Sequence, residues 1–214
     1  MGTEIIKLDP DQLADAGLSC IAEAVRQGRV IAYPTDTFYG LGCDPFNEAA
    51  VERLFAIKQR ERDKPILLII SDPTLVVWLT SERNERFKRL SQHFWPGPLT
   101  LVLRASERLP SLLTGETGTI GIRLPDHELC RRIVSAAGGV LTGTSANLTG
   151  QPSVATAEGV LSQLGESLNL IVDGGPTPGG APSTVLDLTQ DPPWLIREGA
   201  VSRRALEEVE RFLL

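Results

Sequence analysis

The sequence predicts a single α/β domain spanning residues 1–214, and three observations carry that prediction. Short apolar or alternating runs take turns with stretches of helical periodicity along the whole chain. Several of these runs end in polar, glycine-bearing segments, and strand ends are where α/β sheets present ligands. The length is ample for one substantial core, and no repeat, linker or low-complexity segment divides it.

Taken in order, residues 5–8 read as a short strand. Asp9 and Pro10 supply an N-cap and an N1 proline for a helix to about Gln27, stopped by Gly28, with Leu13, Gly17, Cys20 and Ala24 at helical spacing. Residues 30–33 form a buried strand ended by Pro34. Residues 34–42 then collect hydroxyls, Asp36 and two glycines, and read either as a ligand-facing loop or as a turn into another short strand. Asn47 caps a helix in which Val51, Leu54, Phe55 and Lys58 share one face. Lys58 thus continues an apolar stripe, either snorkelling past the core edge or pointing into a pocket. It opens the run Lys58-Gln59-Arg60-Glu61-Arg62-Asp63-Lys64, which is net positive inside a chain of formal charge -6. Such a reversal marks an anion site or a helix end whose cations offset the macrodipole.

Residues 66–70, apolar without alternation, predict a strand covered on both faces. Helical pieces follow near 74–79 and 84–94, then the rigid turn Trp95-Pro96-Gly97-Pro98 and a strand at 99–103. Residues 119–125 alternate, with Thr119, Gly121 and Arg123 on one face; an arginine at a strand end suits a carboxylate or phosphate, or an ordinary surface ion pair. Asp126 caps a helix to about Ala137, ended by Gly138-Gly139. A strand at 140–142 leads into Gly143-Thr144-Ser145-Ala146-Asn147-Leu148-Thr149-Gly150, a loop of neutral donors that is neither a Walker A loop nor a dinucleotide fingerprint. Further strands at 170–172, 185–188 and 195–199 follow, with a polar connection from 173 to 184, and Ser202 caps a last helix with Leu206, Val209 and Leu213 inward.

Composition narrows the function classes. A hydrophobic fraction of 42%, a charged fraction of 22% and a mean hydropathy of -0.01 describe a soluble globular protein. Cys20, Cys43 and Cys130 lack CxxC spacing, which predicts reduced thiols in a cytoplasmic protein. No apolar run approaches the roughly 20 residues that span a bilayer. Two histidines far apart in sequence, His93 and His127, leave little material for a histidine metal site or triad. The acidic balance argues against broad affinity for nucleic acid.

The segments Lys58-Gln59-Arg60, Phe94 to Thr100, Ile120 to His127, Thr144 to Gly150 and Arg197-Glu198-Gly199 resemble, in order, motifs of the YrdC family of threonylcarbamoyl-AMP synthases, and Tyr33 to Gly42 matches its opening motif. The resemblance, to the short single-domain form, implies a twisted mixed, largely antiparallel sheet flanked by helices around a concave, positively charged cleft. It implies an enzyme that joins L-threonine, bicarbonate or CO2, and ATP into threonylcarbamoyl-AMP with release of pyrophosphate. That product would pass to a tRNA threonylcarbamoyl-transferase complex. By resemblance Lys58 and Arg60 are catalytic. Lys58, Arg60, Lys64, Thr119, Ser145, Asn147, Ser153 and Arg197 meet ATP; Thr35, Thr37, Arg123, the Gly143 backbone, and Ser183 or Thr184 surround threonine. Magnesium would accompany the ATP, with Asp36 the one candidate ligand. The departures are Glu61 where many relatives have proline, Lys64 where they have a polar residue, and Thr149 where serine is commoner. A non-catalytic module binding double-stranded RNA, tRNA or the ribosome is the other reading, with weak RNA binding a further expectation.

Overall fold

The computed structural model describes residues 2–8, 15–59, 65–115 and 117–211. Among these residues ten strands run in chain order: β1 (Glu4–Lys7), β2 (Ile31–Tyr33), β3 (Gly40–Gly42), β4 (Leu67–Ile70), β5 (Leu99–Arg104), β6 (Thr119–Arg123), β7 (Val140–Ser145), β8 (Leu170–Asp173), β9 (Thr184–Asp187) and β10 (Trp194–Arg197). The helices are α1 (Asp15–Arg26), α2 (Glu48–Lys58), α3 (Val76–Leu79), α4 (Glu85–Phe94), α5 (Ser111–Thr114), α6 (Glu128–Ala136), α7 (Ala157–Leu164) and α8 (Arg203–Glu207). All ten strands join one sheet in the order β1-β8-β2-β3-β7-β4-β6-β5-β9-β10. The pairings β1–β8, β2–β8, β4–β6 and β5–β9 are parallel and the other five antiparallel, so the sheet is mixed with a slight antiparallel majority.

The alternation of side chains across the sheet explains where a site can form. Leu68 and Ile70 of β4, Leu99, Leu101 and Leu103 of β5, Ile120 and Ile122 of β6 and Leu186 of β9 belong to one core, shared with α2, α4, α7 and α8. On the opposite face Ile31, Tyr33, Ile69 and Leu141 meet the inward residues of α1 and α6 in a second, smaller core. Those two helices cover that face from β1, β8 and β2 as far as β7 and β4. Toward β6, β5, β9 and β10 the same face carries Thr119, Gly121, Arg123, Thr100, Val102, Val185 and Asp187, which line a cavity.

The caps read from sequence at Asn47 and Ser202 are present, and Asn84 caps α4 in the same way, each side chain accepting a bond from the third backbone N–H onward. Three local expectations are corrected, and one of two open alternatives is found. α6 is capped by His127, whose Nδ1 accepts from Cys130 N, rather than by Asp126. α1 buries Leu18, Ile21, Ala24 and Val25, while Cys20 is exposed. β7 continues through Gly143-Thr144-Ser145, because β3 and β4 on either side supply partners for a backbone that the glycine had marked as a loop. Residues 34–42 end in a strand, β3. The expected start of the first helix at Asp9 and Pro10, and the inward Leu213, lie outside the described residues. Among the described residues no helix is long and apolar enough to cross a membrane.

Candidate active site

The cavity has a volume of about 690 Å³ and is floored by the uncovered half of the sheet. Its two ends differ.

At the closed end stands Arg123, the last residue of β6, only 4% exposed. Its guanidinium is ion-paired to Asp36, donates from Nε to Gly97 O at 3.2 Å, and approaches Thr37 Oγ1 at 3.4 Å. The sequence builds this locally. The Trp95-Pro96-Gly97-Pro98 turn is fixed by Trp95 Nε1 donating to Leu99 O at 2.7 Å and by Gly97 N donating to Leu124 O at 2.8 Å, which aims the Gly97 carbonyl at Arg123. The 34–39 segment is held by Thr35 Oγ1 donating to Phe38 O at 2.7 Å and by Thr37 N donating back to Thr35 Oγ1 at 3.2 Å. A buried guanidinium persists when it is paired and its remaining N–H groups find acceptors. Thr35 and Thr37 line the cavity; Asp36, expected as a candidate metal ligand, lies behind them, with Oδ2 buried and without a hydrogen-bond partner among the described residues. Gly143 also lines this end. A Cβ there would fall 2.6 Å from Ile69 Cγ1 and Leu67 Cδ1, so only glycine lets β7 sit this close to the floor.

At the open end Arg197 closes β10, an edge strand, and is exposed. It donates from Nε and Nη2 to Ser183 O at 3.1 and 2.8 Å. Enclosure by the pocket walls, and then the like charge of Arg123, lower its pKa. Two guanidiniums that repel across one cavity favour a shared anionic ligand. Ser183 lines the cavity and accepts from Thr100 Oγ1 at 3.1 Å. Its neighbour Thr184 faces away: its hydroxyl donates to Val201 O at 2.6 Å and accepts from Gly199 N and Val201 N, pinning the turn after β10. Thr119, Ser145 and Ser153 are all on the cavity wall.

Lys58 and Asn147 are placed differently. Because α2 packs on the fully covered face of the sheet, Lys58 approaches the end of β7 from behind, is 3% exposed, and is absent from the cavity lining. Nζ donates to Ser145 O at 2.6 Å and to Asn147 O at 2.7 Å, with Asn147 Oδ1 at 3.2 Å and Ser145 Oγ at 3.4 Å. Arg60 and Lys64 lie outside the described residues; Pro65, which follows them, lines the cavity.

Sequence reading passed over Asp187, the carboxylate among the described lining residues, whose Oδ1 accepts from Thr189 N and Oγ1 at 2.8 and 2.7 Å. The available signal is its place two residues after Val185, on the face opposite the buried Leu186 of β9. Among the described residues no three His, Cys, Asp or Glu side chains gather to hold a metal ion. A magnesium ion that arrives on ATP is held chiefly by phosphates and water and needs no such cage.

A family profile, Sua5/YciO/YrdC, described as "Telomere recombination", matches residues 23–199. The chain is 39% identical over 189 residues to a threonylcarbamoyl-AMP synthase of Pyrococcus abyssi, covering 88% of this chain and 55% of that protein. It is 42% identical over 189 residues to a threonylcarbamoyl-AMP synthase of Vibrio vulnificus, covering 86% of this chain and 99% of that one. The crystal structure of P. abyssi Sua5 complexed with L-threonine superposes with a TM-score of 0.95 at 36% identity, over 99% of this chain and 63% of that one. The chain therefore spans little more than half the length of some relatives and nearly the whole of others.

Proposed function

This chain belongs to the Sua5/YciO/YrdC family, and from that premise and the shape of the cleft we propose that it is a threonylcarbamoyl-AMP synthase. The observation that carries the reading is one cavity with a buried, pre-oriented guanidinium at its closed end and an exposed one, ringed by hydroxyls, at its open end. Its volume falls within the roughly 300–1,000 Å³ of small-molecule sites. Arg123 receives the threonine carboxylate, with Thr35, Thr37, the Gly143 backbone and Ser183 around the amino acid. Arg197, Thr119, Ser145 and Ser153, with Arg60 and Lys64, hold Mg·ATP; Lys58 and Asn147 serve the same side from behind the wall.

The threonine amine gives up a proton and adds to CO2, derived from bicarbonate, to form a carbamate. A carbamate oxygen then attacks the α-phosphorus; the new P–O bond forms as the bond to the bridging oxygen breaks, and pyrophosphate leaves with that electron pair. No side-chain nucleophile is required, so the protein's contribution is alignment and charge stabilisation. The mixed anhydride is then consumed by a transferase complex acting on tRNA.

The test is release of pyrophosphate from ATP by the purified chain. Release that requires both threonine and bicarbonate is expected, and turnover indifferent to threonine overturns the reading.

A further inference from the structure

We infer that Lys58 is a positioning residue: its ammonium clamps the loop after β7 and thereby sets Ser145 on the nucleotide wall, without touching a phosphate. The role within catalysis rests on the proposed synthase reading; the clamp itself stands on geometry alone.

An ammonium has three donors. Among the described residues those of Lys58 meet two backbone carbonyls, Ser145 O and Asn147 O, and the side-chain oxygens of Asn147 and, more distantly, Ser145, all on one short segment. The loop answers in the other direction, since Thr149 Oγ1 donates to the Lys58 carbonyl at 2.6 Å. The end of α2 and residues 145–149 are therefore latched twice. Asn147 is consumed in the same way: Oδ1 accepts from Lys58, and Nδ2 donates to Leu148 O at 2.9 Å and Gln151 O at 2.5 Å. Neither residue lines the cavity, whereas Ser145, between them in the network, does. The backbone after Lys58 agrees with a latch. Gln59 takes φ 49, ψ 42, a left-handed conformation that non-glycine residues rarely adopt, so the chain leaves α2 in a direction imposed by its surroundings. Pro65, where the described chain resumes, lines the cavity.

Two readouts test the clamp. In the free protein, Lys58→Met is expected to reduce hydrogen-exchange protection at Asn147 and Gln151, whose N–H groups donate within the loop, by about tenfold or more, while α6 and α1 amides keep theirs. In steady-state assays the KM for ATP rises by about tenfold or more with the threonine Kd unchanged, and adding Asn147→Ala to Lys58→Met costs little beyond the worse single variant, because both substitutions break one network. Unchanged protection of the loop amides, or KM effects of the two substitutions that multiply, would mean that Lys58 acts independently on phosphate and would overturn the inference. Should Lys58→Met not fold, Thr149→Val removes the reciprocal bond alone; a several-fold loss of protection at the same amides is then expected, and none overturns it. A wild-type protein that releases no pyrophosphate would defeat the synthase reading and leave the exchange result standing.

Discussion

Arg123 and Arg197 occupy opposite ends of one cavity and are held by opposite means. Arg123 is sealed, with Asp36 balancing its charge and the Gly97 carbonyl fixing its plane. Arg197 stands on the sheet edge, oriented only by the neutral carbonyl and hydroxyl of Ser183 among the described residues. A buried guanidinium without a counter-charge would be prohibitively desolvated, so the closed end had to be built as a pair. At the open end water does that work, and the positive charge remains available to a polyanion. On the proposed reading threonine would meet a preformed, charge-balanced floor and ATP an exposed cation.

The largest expected effect breaks the closed end. Arg123→Met leaves Asp36 buried without its partner, which costs about 3–5 kcal/mol of stability and should lower the melting temperature by about 10 °C. Threonine binding, followed by calorimetry, should fall below detection. Replacing Asp36 by Asn should also destabilise, and it sharpens the comparison: the guanidinium keeps its Gly97 bond but loses its counter-charge. A melt unchanged by Arg123→Met would show that the pair contributes nothing to the fold.

Arg197→Ala should do the reverse. Its bonds go to groups that water can satisfy, so stability should change by less than about 1 kcal/mol. If Arg197 holds phosphate as proposed, its loss should raise the KM for ATP by about 10- to 100-fold, with the threonine Kd unaffected. Equal effects on both ligands would erase the distinction between the two ends.

How much of this was legible in the sequence depended on whether the signal was local. The alternation Thr119-Ile120-Gly121-Ile122-Arg123 put Arg123 on the cavity face without any tertiary knowledge, and the Asn47 and Ser202 caps are likewise local chemistry. Lys58 was legible as the continuation of an apolar stripe, but which face of the sheet receives α2 is a topological fact, and that fact turns Lys58 away from the cleft. The same reasoning separates Ser183 from Thr184, adjacent residues that a strand must send to opposite sides. The Arg123–Asp36 pair spans most of a hundred residues of chain, and the Gly143 segment looked like a loop because its strand partners, β3 and β4, are distant in sequence. No spacing rule announces either.

The dryness of the closed end can be probed through its thiol. Burial pushes Cys130, on α6 behind Arg123, up to about 12, and pushes Cys43 up to about 12 in the other core, whereas Cys20 is exposed. Alkylation of the native protein at neutral pH should therefore modify Cys20 alone, with Cys43 and Cys130 reacting only after unfolding. Peptide mapping that finds Cys130 modified in the native state would mean that water reaches behind Arg123.

The smallest effect concerns His127, which caps α6 beside the same pair. Burial lowers its pKa from 6.5, against the opposing pull of Asp36 and Asp126 and with the help of Arg131. As pH falls through 6.5 the unfolded chain therefore takes up a proton that the folded chain resists, and stability declines until the lower folded pKa is passed; above 6.5 both states are neutral and the contribution is complete. His127→Asn keeps an oxygen that can accept from Cys130 N and removes the titration. Urea midpoints measured from about pH 5 to pH 8 should then fall less steeply on the acid side than in the wild type, with the two proteins nearly equal above neutrality. An identical acid slope would place the pH dependence in other groups and leave the closed end open enough for His127 to titrate as it does in water.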